Sequence, residues 1–493
     1  MSSRVRSRTA LAGAWIDVRL SRRSTVLGLL GAIGVAYLTV VQLLGVAAFS
    51  PDSWSYFELA KTVFSGDFYR FNTFRSHFSE HYSASFPFGF PIALAVLHGV
   101  VGPVPEAAQY FNVAVMLATA YVVVRIGDEL QFPGVAGLAV ACSLMLYLPY
   151  FDEVRAGRSL PLAIMLFAVA CLLHLRDRPG AAGLLFGLSA LVRFDFLTHS
   201  IVCIAVAPLL KRRLDPGAFL LAGAGFAIGI APWVIYSFVH FGTFWASDNA
   251  WVAMSALPAF VEDYPATAAI TASQDVALWF NRLAANVRPL AEGLHWSLLQ
   301  FPLVPVLAVA ILLDWRVASG HGIARFAICA AALAASTVPY VLTGYVDPRY
   351  FSVHLVCASL LLWSYLLPSN RGRPTGALVQ WTGVVAVGLV VALGARDLYR
   401  SAIYGQGQAD EMRKELALIE SLRQCHLRTP AVTYLFAGER LSPFKYGAIT
   451  GMRTARLPTN FVAMDEPQRK AFFARMSPFV LVKTFSDDRQ CPT

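Results

Sequence analysis

The chain has 493 residues; 57% are A, V, I, L, M, F, W, Y or C, and only 14% are D, E, K or R. Soluble proteins average about 45–50% apolar and about 25% charged. This composition therefore excludes a soluble multidomain protein, a coiled coil, a disordered chain and a disulfide-rich miniprotein, and leaves a polytopic membrane protein. The formal charge of +10 reads as topology information in such a chain, and no nucleic-acid partner is expected.

A helix needs about 20 apolar residues to cross roughly 30 Å of hydrocarbon. Taken in order, the uncharged apolar stretches are 24–49, 107–124, 132–151, 159–173, 180–192, 196–210, 216–239, 296–313, 326–343, 351–368 and 376–394. The basic first 23 residues followed by an apolar span too long for a signal peptide predict an uncleaved anchor. The segments 180–192 and 196–210 are short and read as a tight helical pair with Arg193 and Asp195 at its apex. The apolar segment 86–101 is punctuated by Pro87, Gly89, Pro91 and Gly99, and reads as interfacial.

With 86–101 not crossing, the short Lys/Arg clusters fall on one side. They are Arg4 to Arg23, Arg125, Arg176/Arg178, Lys211 to Arg213, Arg316/Arg325 and Arg371/Arg373. Cytoplasmic loops carry such residues in excess, so the reading is eleven spans, N-terminus inside and C-terminus outside.

Three large segments then lie outside: 50–106, 240–295 and 395–493. The division is a membrane domain, 1–394, and a small soluble α/β domain, 395–493. In the latter, 410–424 has helical apolar spacing, and Ala431–Ala437 and Phe479–Phe485 read as strands. Cys425 and Cys491 both fall there, and whether they pair is open. The cysteines within spans are small apolar filler.

Acids and arginines collect at helix ends on the outer face, and ionisable groups there are functional candidates by default. Asp52 follows the first span. It fits two roles: the N-cap of a helix reaching towards Gly66, or a general base for an acceptor hydroxyl. Arg75, His77, Glu80 and His81 follow, and a His/Glu set is capable of holding a divalent metal, although the spacing matches no specific site. Asp152, Glu153, Arg155 and Arg158 fill one short loop, and Tyr345, Asp347, Arg349 and Tyr350 fill another. Arg155, Arg158, Arg193 and Arg349 either snorkel to headgroups, pair with Asp152, Asp195 and Asp347, or hold a phosphate, for which guanidinium geometry is suited.

In order, these features resemble the GT-C superfamily of integral membrane glycosyltransferases, in particular the bacterial aminoarabinose transferases and protein O-mannosyltransferases. The matching residues are Asp52 with Tyr56 and Leu59-Ala60, the turn Phe86-Pro87-Phe88-Gly89-Phe90-Pro91, and the acids Asp152-Glu153. They continue with Gly187 to Asp195, then Pro232-Trp233 with Phe241-Gly242, and finally Tyr345 to Tyr350. Two departures stand out: Phe88 interrupts the paired prolines of the family turn, and the first loop lacks an adjacent acidic pair.

The resemblance implies an all-α polytopic GT-C fold with interfacial helices in the first outside loop. It implies a polyprenyl-phosphate-linked sugar as donor and an envelope glycan, lipid or protein as acceptor, with inverting transfer on the outer face of a bacterial inner membrane. Asp52 would be the base. Arg193, Arg349, Arg158 and Arg155 would hold the phosphate. Tyr56, Asp152, Glu153, Asp195, Tyr345 and Tyr350 would contact sugar or acceptor. A divalent ion, Mg or Mn, would sit at Glu80 and His81. The alternatives are an outer-face polysaccharide polymerase, whose loop 240–295 would then be expected to be richer in Arg and His, and a lipid-linked-sugar flippase, which needs mid-span charges.

Overall fold

The computed structural model describes residues 23–64, 68–69, 82–132, 134–211, 215–247, 276–313, 331, 333–343 and 347–366. It also describes scattered positions from 385 to 403, and 433–436, 454–456, 465–476 and 479–482. Before the tail, the regular elements among these residues are helices. Helix α1 (Arg23–Leu44) leads through a short turn into α2 (Pro51–Thr62). Helix α3 (Gly89–Val101) opens the return to α4 (Ala107–Glu129). At 13 residues, α3 is about 20 Å long, short of the hydrocarbon thickness. Then come α5 (Gly134–Met145), α6 (Leu148–Arg155), α7 (Leu160–Leu175), α8 (Pro179–Val192), α9 (Asp195–Lys211) and α10 (Pro216–Phe241).

Three of these helices, α1, α4 and α10, are long and apolar enough to cross a membrane, and α5 with α6 makes a fourth if the bent pair counts as one span. Helices α3, α7, α8 and α9 are shorter apolar helices. The expected span 132–151 is not one straight helix: the chain breaks at Leu146–Tyr147 and α6 leaves α5 at 57°. Pro149 sits in the first turn of α6, where its missing N–H costs nothing, whereas in a continuous helix it would cost a bond. The loop expected at 240–295 also changes. Val276–Gln300 is one helix, α11, and it ends just before Pro302, after which α12 (Leu303–Leu313) begins. The boundary expected at 295 thus falls inside α11. Further elements among the described residues are α13 (Val338–Thr343), the 3-10 turn Pro348–Phe351 and α14 (Ser352–Leu366).

Helices α8 and α10 pack backbone to backbone. Gly183 and Gly187 on one face Gly225 and Gly229 on the other; a Cβ on Gly187 would lie 2.8 Å from the Gly229 Cα, and one on Gly183 would collide with the Ala222 carbonyl. Small residues four apart let membrane helices approach this closely. The contact fixes the end of α8, and with it Arg193.

In the tail, β1 (Thr433–Phe436), β2 (Thr454–Arg456) and β3 (Phe479–Val482) form a parallel sheet in the order β2-β1-β3, with α15 (Glu466–Met476) between β2 and β3. Strands β1 and β3 lie within the expected segments Ala431–Ala437 and Phe479–Phe485; β2 was not legible. The helix expected at 410–424, Cys425, Cys491 and most of 376–394 lie outside the described residues.

Candidate active site

Helix α6 carries adjacent acids, Asp152 and Glu153. Neighbours on a helix point about 100° apart, so only one of them faces inward. Glu153 is fully buried, whereas the Asp152 side chain is 41% exposed. An isolated buried carboxylate is costly, and Glu153 is surrounded by guanidinium groups. Arg158 Nη1 is 2.6 Å from its Oε1, Arg349 Nη1 is 2.9 Å from the same oxygen, and Arg193 Nη1 is 3.7 Å from Oε2. Burial pushes the Glu153 carboxyl up, but Arg158, Arg349 and Arg193 together outweigh it and hold it at about 2. Glu153 is therefore a fixed anion at the centre of three cations.

Each arginine reaches this point from a different element. Arg158 follows α6 after a left-handed turn at Gly157 (φ +66°), a conformation that favours glycine. The turn is held from α4: Asn112 Nδ2 donates to the Arg158 carbonyl at 2.7 Å, and Gln109 Nε2 donates to the Arg155 carbonyl at 2.5 Å and to Gly45 O at 2.7 Å. Arg193 occupies the break between α8 and α9. Its Nε is 3.1 Å from Asp195 Oδ1, and its Nη1 donates to Ser159 Oγ at 3.5 Å. Arg349 lies in the 3-10 turn, where the Asp347 side chain accepts from the Arg349 backbone N–H at 2.9 Å. The hydroxyl of Tyr147 donates to the Pro348 carbonyl at 2.5 Å and docks that turn. The Tyr350 ring lies 5.4 Å from the Arg193 guanidinium and 5.2 Å from that of Arg349. Both distances are within cation–π range.

Asp52 stands in the first turn of α2, partly buried. The N-cap role considered for it belongs instead to Ser50. The Ser50 hydroxyl accepts from Ser53 N–H, Ser53 Oγ accepts from Ser50 N–H, and Pro51 takes the first helical position. A Ser-Pro start suits a helix N-terminus and leaves the Asp52 carboxylate out of the cap. The charge of Asp52 acts on Tyr56, Arg158 and Arg349, so the three-arginine cluster and the base candidate share one neighbourhood. Tyr56 is buried between Phe86 and Phe90, and its hydroxyl pairs with Ser159 Oγ at 2.8 Å. Burial raises the Tyr56 phenol most, Arg193 opposes, and it is pushed up to about 12; Tyr56 stays a neutral hydroxyl.

The structure thus gathers Asp52, Tyr56, Glu153, Arg158, Arg193, Asp195, Arg349 and Tyr350. Asp152 and Arg155 pair with each other at 2.7 Å, and Arg155 is not among the guanidiniums at Glu153. Tyr345, Glu80 and His81 lie outside the described residues. Ser50, Asn112, Gln109, Ser159 and Tyr340 were not read as site residues from sequence. Gln109 and Asn112 are polar residues in an otherwise apolar helix, which was their signal; Ser50, Ser159 and Tyr340 carried none.

Among the described residues, no group of three or more His, Cys, Asp or Glu is placed to hold a metal ion. Glu153 does not suit one, because a divalent cation would have to join three guanidiniums already packed on a single carboxylate.

No protein-family model and no curated protein matches this chain. Among solved structures it is similar to ArnT from Cupriavidus metallidurans, crystallised with undecaprenyl phosphate. The identity is 14% and the TM-score 0.51 over 93% of each chain. The Archaeoglobus fulgidus oligosaccharyltransferase, in complex with Zn and sulfate, overlaps at 13% identity and TM-score 0.48 over 92% of this chain and 67% of its own. The fold assignment rests on the ArnT likeness.

Proposed function

Because this chain has the GT-C fold, we propose that it is an integral membrane glycosyltransferase that moves a sugar from a polyprenyl phosphate to an acceptor of the bacterial envelope, on the outer face of the inner membrane. The observation that carries this reading is the set of three arginines around Glu153, beside the helix that bears Asp52. The undecaprenyl phosphate bound to the structurally similar ArnT supports a lipid phosphate as the leaving group. The acceptor is a glycan, lipid or protein, with the tail and the 240–295 segment shaping its site.

The reaction follows from the charges. The acceptor O–H gives its proton to the Asp52 carboxylate as its oxygen bonds to the anomeric carbon. The bond from that carbon to the phosphate oxygen breaks on the opposite face, and the electron pair leaves with the lipid phosphate. Configuration inverts because attack and departure are on opposite sides. The departing dianion needs positive charge more than it needs a proton, and preoriented donors supply it. Arg193, Arg349 and Arg158 provide those donors, and Glu153 keeps them apart and aimed. A guanidinium has five N–H donors, more than Glu153 alone takes up.

Mass spectrometry of envelope glycans, lipids and proteins from cells with the gene, without it, and with Asp52→Asn tests this function. One acceptor class should lose a single sugar in the deletion and in Asp52→Asn alike. Identical envelopes in all three strains would overturn the reading.

A further inference from the structure

The polar contacts of Arg193 extend one layer further. Asp195 receives Arg193 on both oxygens, Nε to Oδ1 at 3.1 Å and Nη2 to Oδ2 at 3.4 Å. The same Oδ2 accepts from the Tyr340 hydroxyl at 3.1 Å, across 145 positions of sequence. Tyr340 is 5% exposed and comes from α13. Its ring stacks on Tyr350 at 4.7 Å between centroids and 16° between planes. That Tyr350 ring is the one lying beneath both Arg193 and Arg349. Tyr340 therefore touches two partners of Arg193, the acid that binds it and the ring it lies against.

We infer that Tyr340 is a positioning residue for lipid-phosphate recognition, its hydroxyl bond to Asp195 keeping Arg193 turned towards Ser159 and Glu153, where the leaving phosphate is bound. This inference rests on the polyprenyl-phosphate reading above. The physical reason is competition for one guanidinium. Asp195 pulls Arg193 from one side, and Ser159 and Glu153 pull it from the other. A hydroxyl donating to Asp195 satisfies part of its charge and weakens its hold on Arg193. Without that donor, Asp195 draws the guanidinium closer, and the Nη1 edge retreats from the phosphate position. Backbone contacts hold the rest of the arrangement: His199 Nδ1 lies 2.9 Å from the Asp195 carbonyl, and His354 Nδ1 lies 3.3 Å from the Tyr350 carbonyl.

Tyr340→Phe removes the donor and keeps the ring that stacks on Tyr350. Full-length wild type and variant in nanodiscs are titrated with a short polyprenyl phosphate and with the matching uncharged polyprenol. Wild type should prefer the phosphate. In the variant, phosphate affinity should fall roughly three- to tenfold, the range for one ordinary hydrogen bond felt indirectly, with polyprenol affinity unchanged. In an Asp195→Asn background the same change should cost less, because its partner charge is gone. Unchanged phosphate affinity in Tyr340→Phe would overturn the positioning role. An equal loss for both ligands would also overturn it, since that marks packing alone. A wild type that does not distinguish phosphate from alcohol would instead overturn the parent function and this inference with it.

Discussion

The guanidinium of Arg158 donates from Nε to the Ser50 hydroxyl at 2.7 Å while its Nη1 holds Glu153 at 2.6 Å. Ser50 caps the helix on which Asp52 stands two positions later. One side chain thus ties the proposed phosphate cluster to the proposed base. Lysine has a single charged nitrogen and cannot span both partners in this planar arrangement. Arg158→Lys is expected to lower transfer roughly 10²-fold, the scale of a small misplacement near reacting atoms, while the protein stays folded. Turnover in proteoliposomes, compared with a thermal melt of the same sample, checks this.

Asp52→Asn separates chemistry from binding. The amide cannot take the acceptor's proton, so transfer should fall by roughly 10²–10⁴, the usual contribution of general base catalysis. Polyprenyl-phosphate binding should persist, because the three arginines are untouched. Equal losses of binding and transfer in this variant would remove Asp52 from the base role.

Glu153 makes a pH prediction of definite sign. Its folded value of about 2 lies below the ordinary 4.5. A depressed carboxyl contributes stability that is complete above the unfolded value and is lost as pH falls through the folded one. The wild-type melting temperature should therefore drop between about pH 5 and pH 2. Glu153→Gln leaves three guanidiniums without their common anion and should cost about 3–5 kcal/mol, as breaking a buried ion pair does. Its melting temperature should depend less on pH over that window, and melts of the two proteins across pH test both statements.

Two glycines of α3 should respond in opposite ways. A Cβ on Gly89 would lie 2.6 Å from the Leu191 carbonyl oxygen and 2.8 Å from its carbon, both backbone atoms, whereas a Cβ on Gly99 would meet nothing within 4 Å. Gly89→Ala must push α3 off the end of α8 beside Arg193, costing about 1–3 kcal/mol together with activity. Gly99→Ala should be neutral or stabilising by about 0.5–1 kcal/mol. Paired melts and transfer assays distinguish the two.

Much of the architecture was legible because hydrophobic length is a local property. The apolar runs of α1, α4 and α10 need no tertiary information to be read as helices able to cross a membrane. Arg193 and Asp195 at the break between α8 and α9 could be placed by charge alone. The break within 132–151 was missed because hydrophobic length alone does not show where one helix ends and the next begins; Pro149, costly inside a continuous helix, fits the first turn of a new one. The close packing of α8 on α10 was written in glycines four apart, a pattern that carries meaning only once a partner helix is found.

By itself the sequence determined the class of molecule and the pool of acids and arginines from which a site is drawn. Only the tertiary structure decided their roles. Asp152 and Glu153 are chemically near-identical neighbours, yet one is partly exposed beside Arg155 and the other is buried among three guanidiniums. The difference is their angle around α6 and the arrival of Arg349 from 196 positions away. Ser50 and not Asp52 takes the helix cap, and Tyr340 finds Asp195 across the fold. Helix formation depends on neighbours in the chain, which a sequence displays. The partner of a buried charge depends on neighbours in space, and packing alone fixes those.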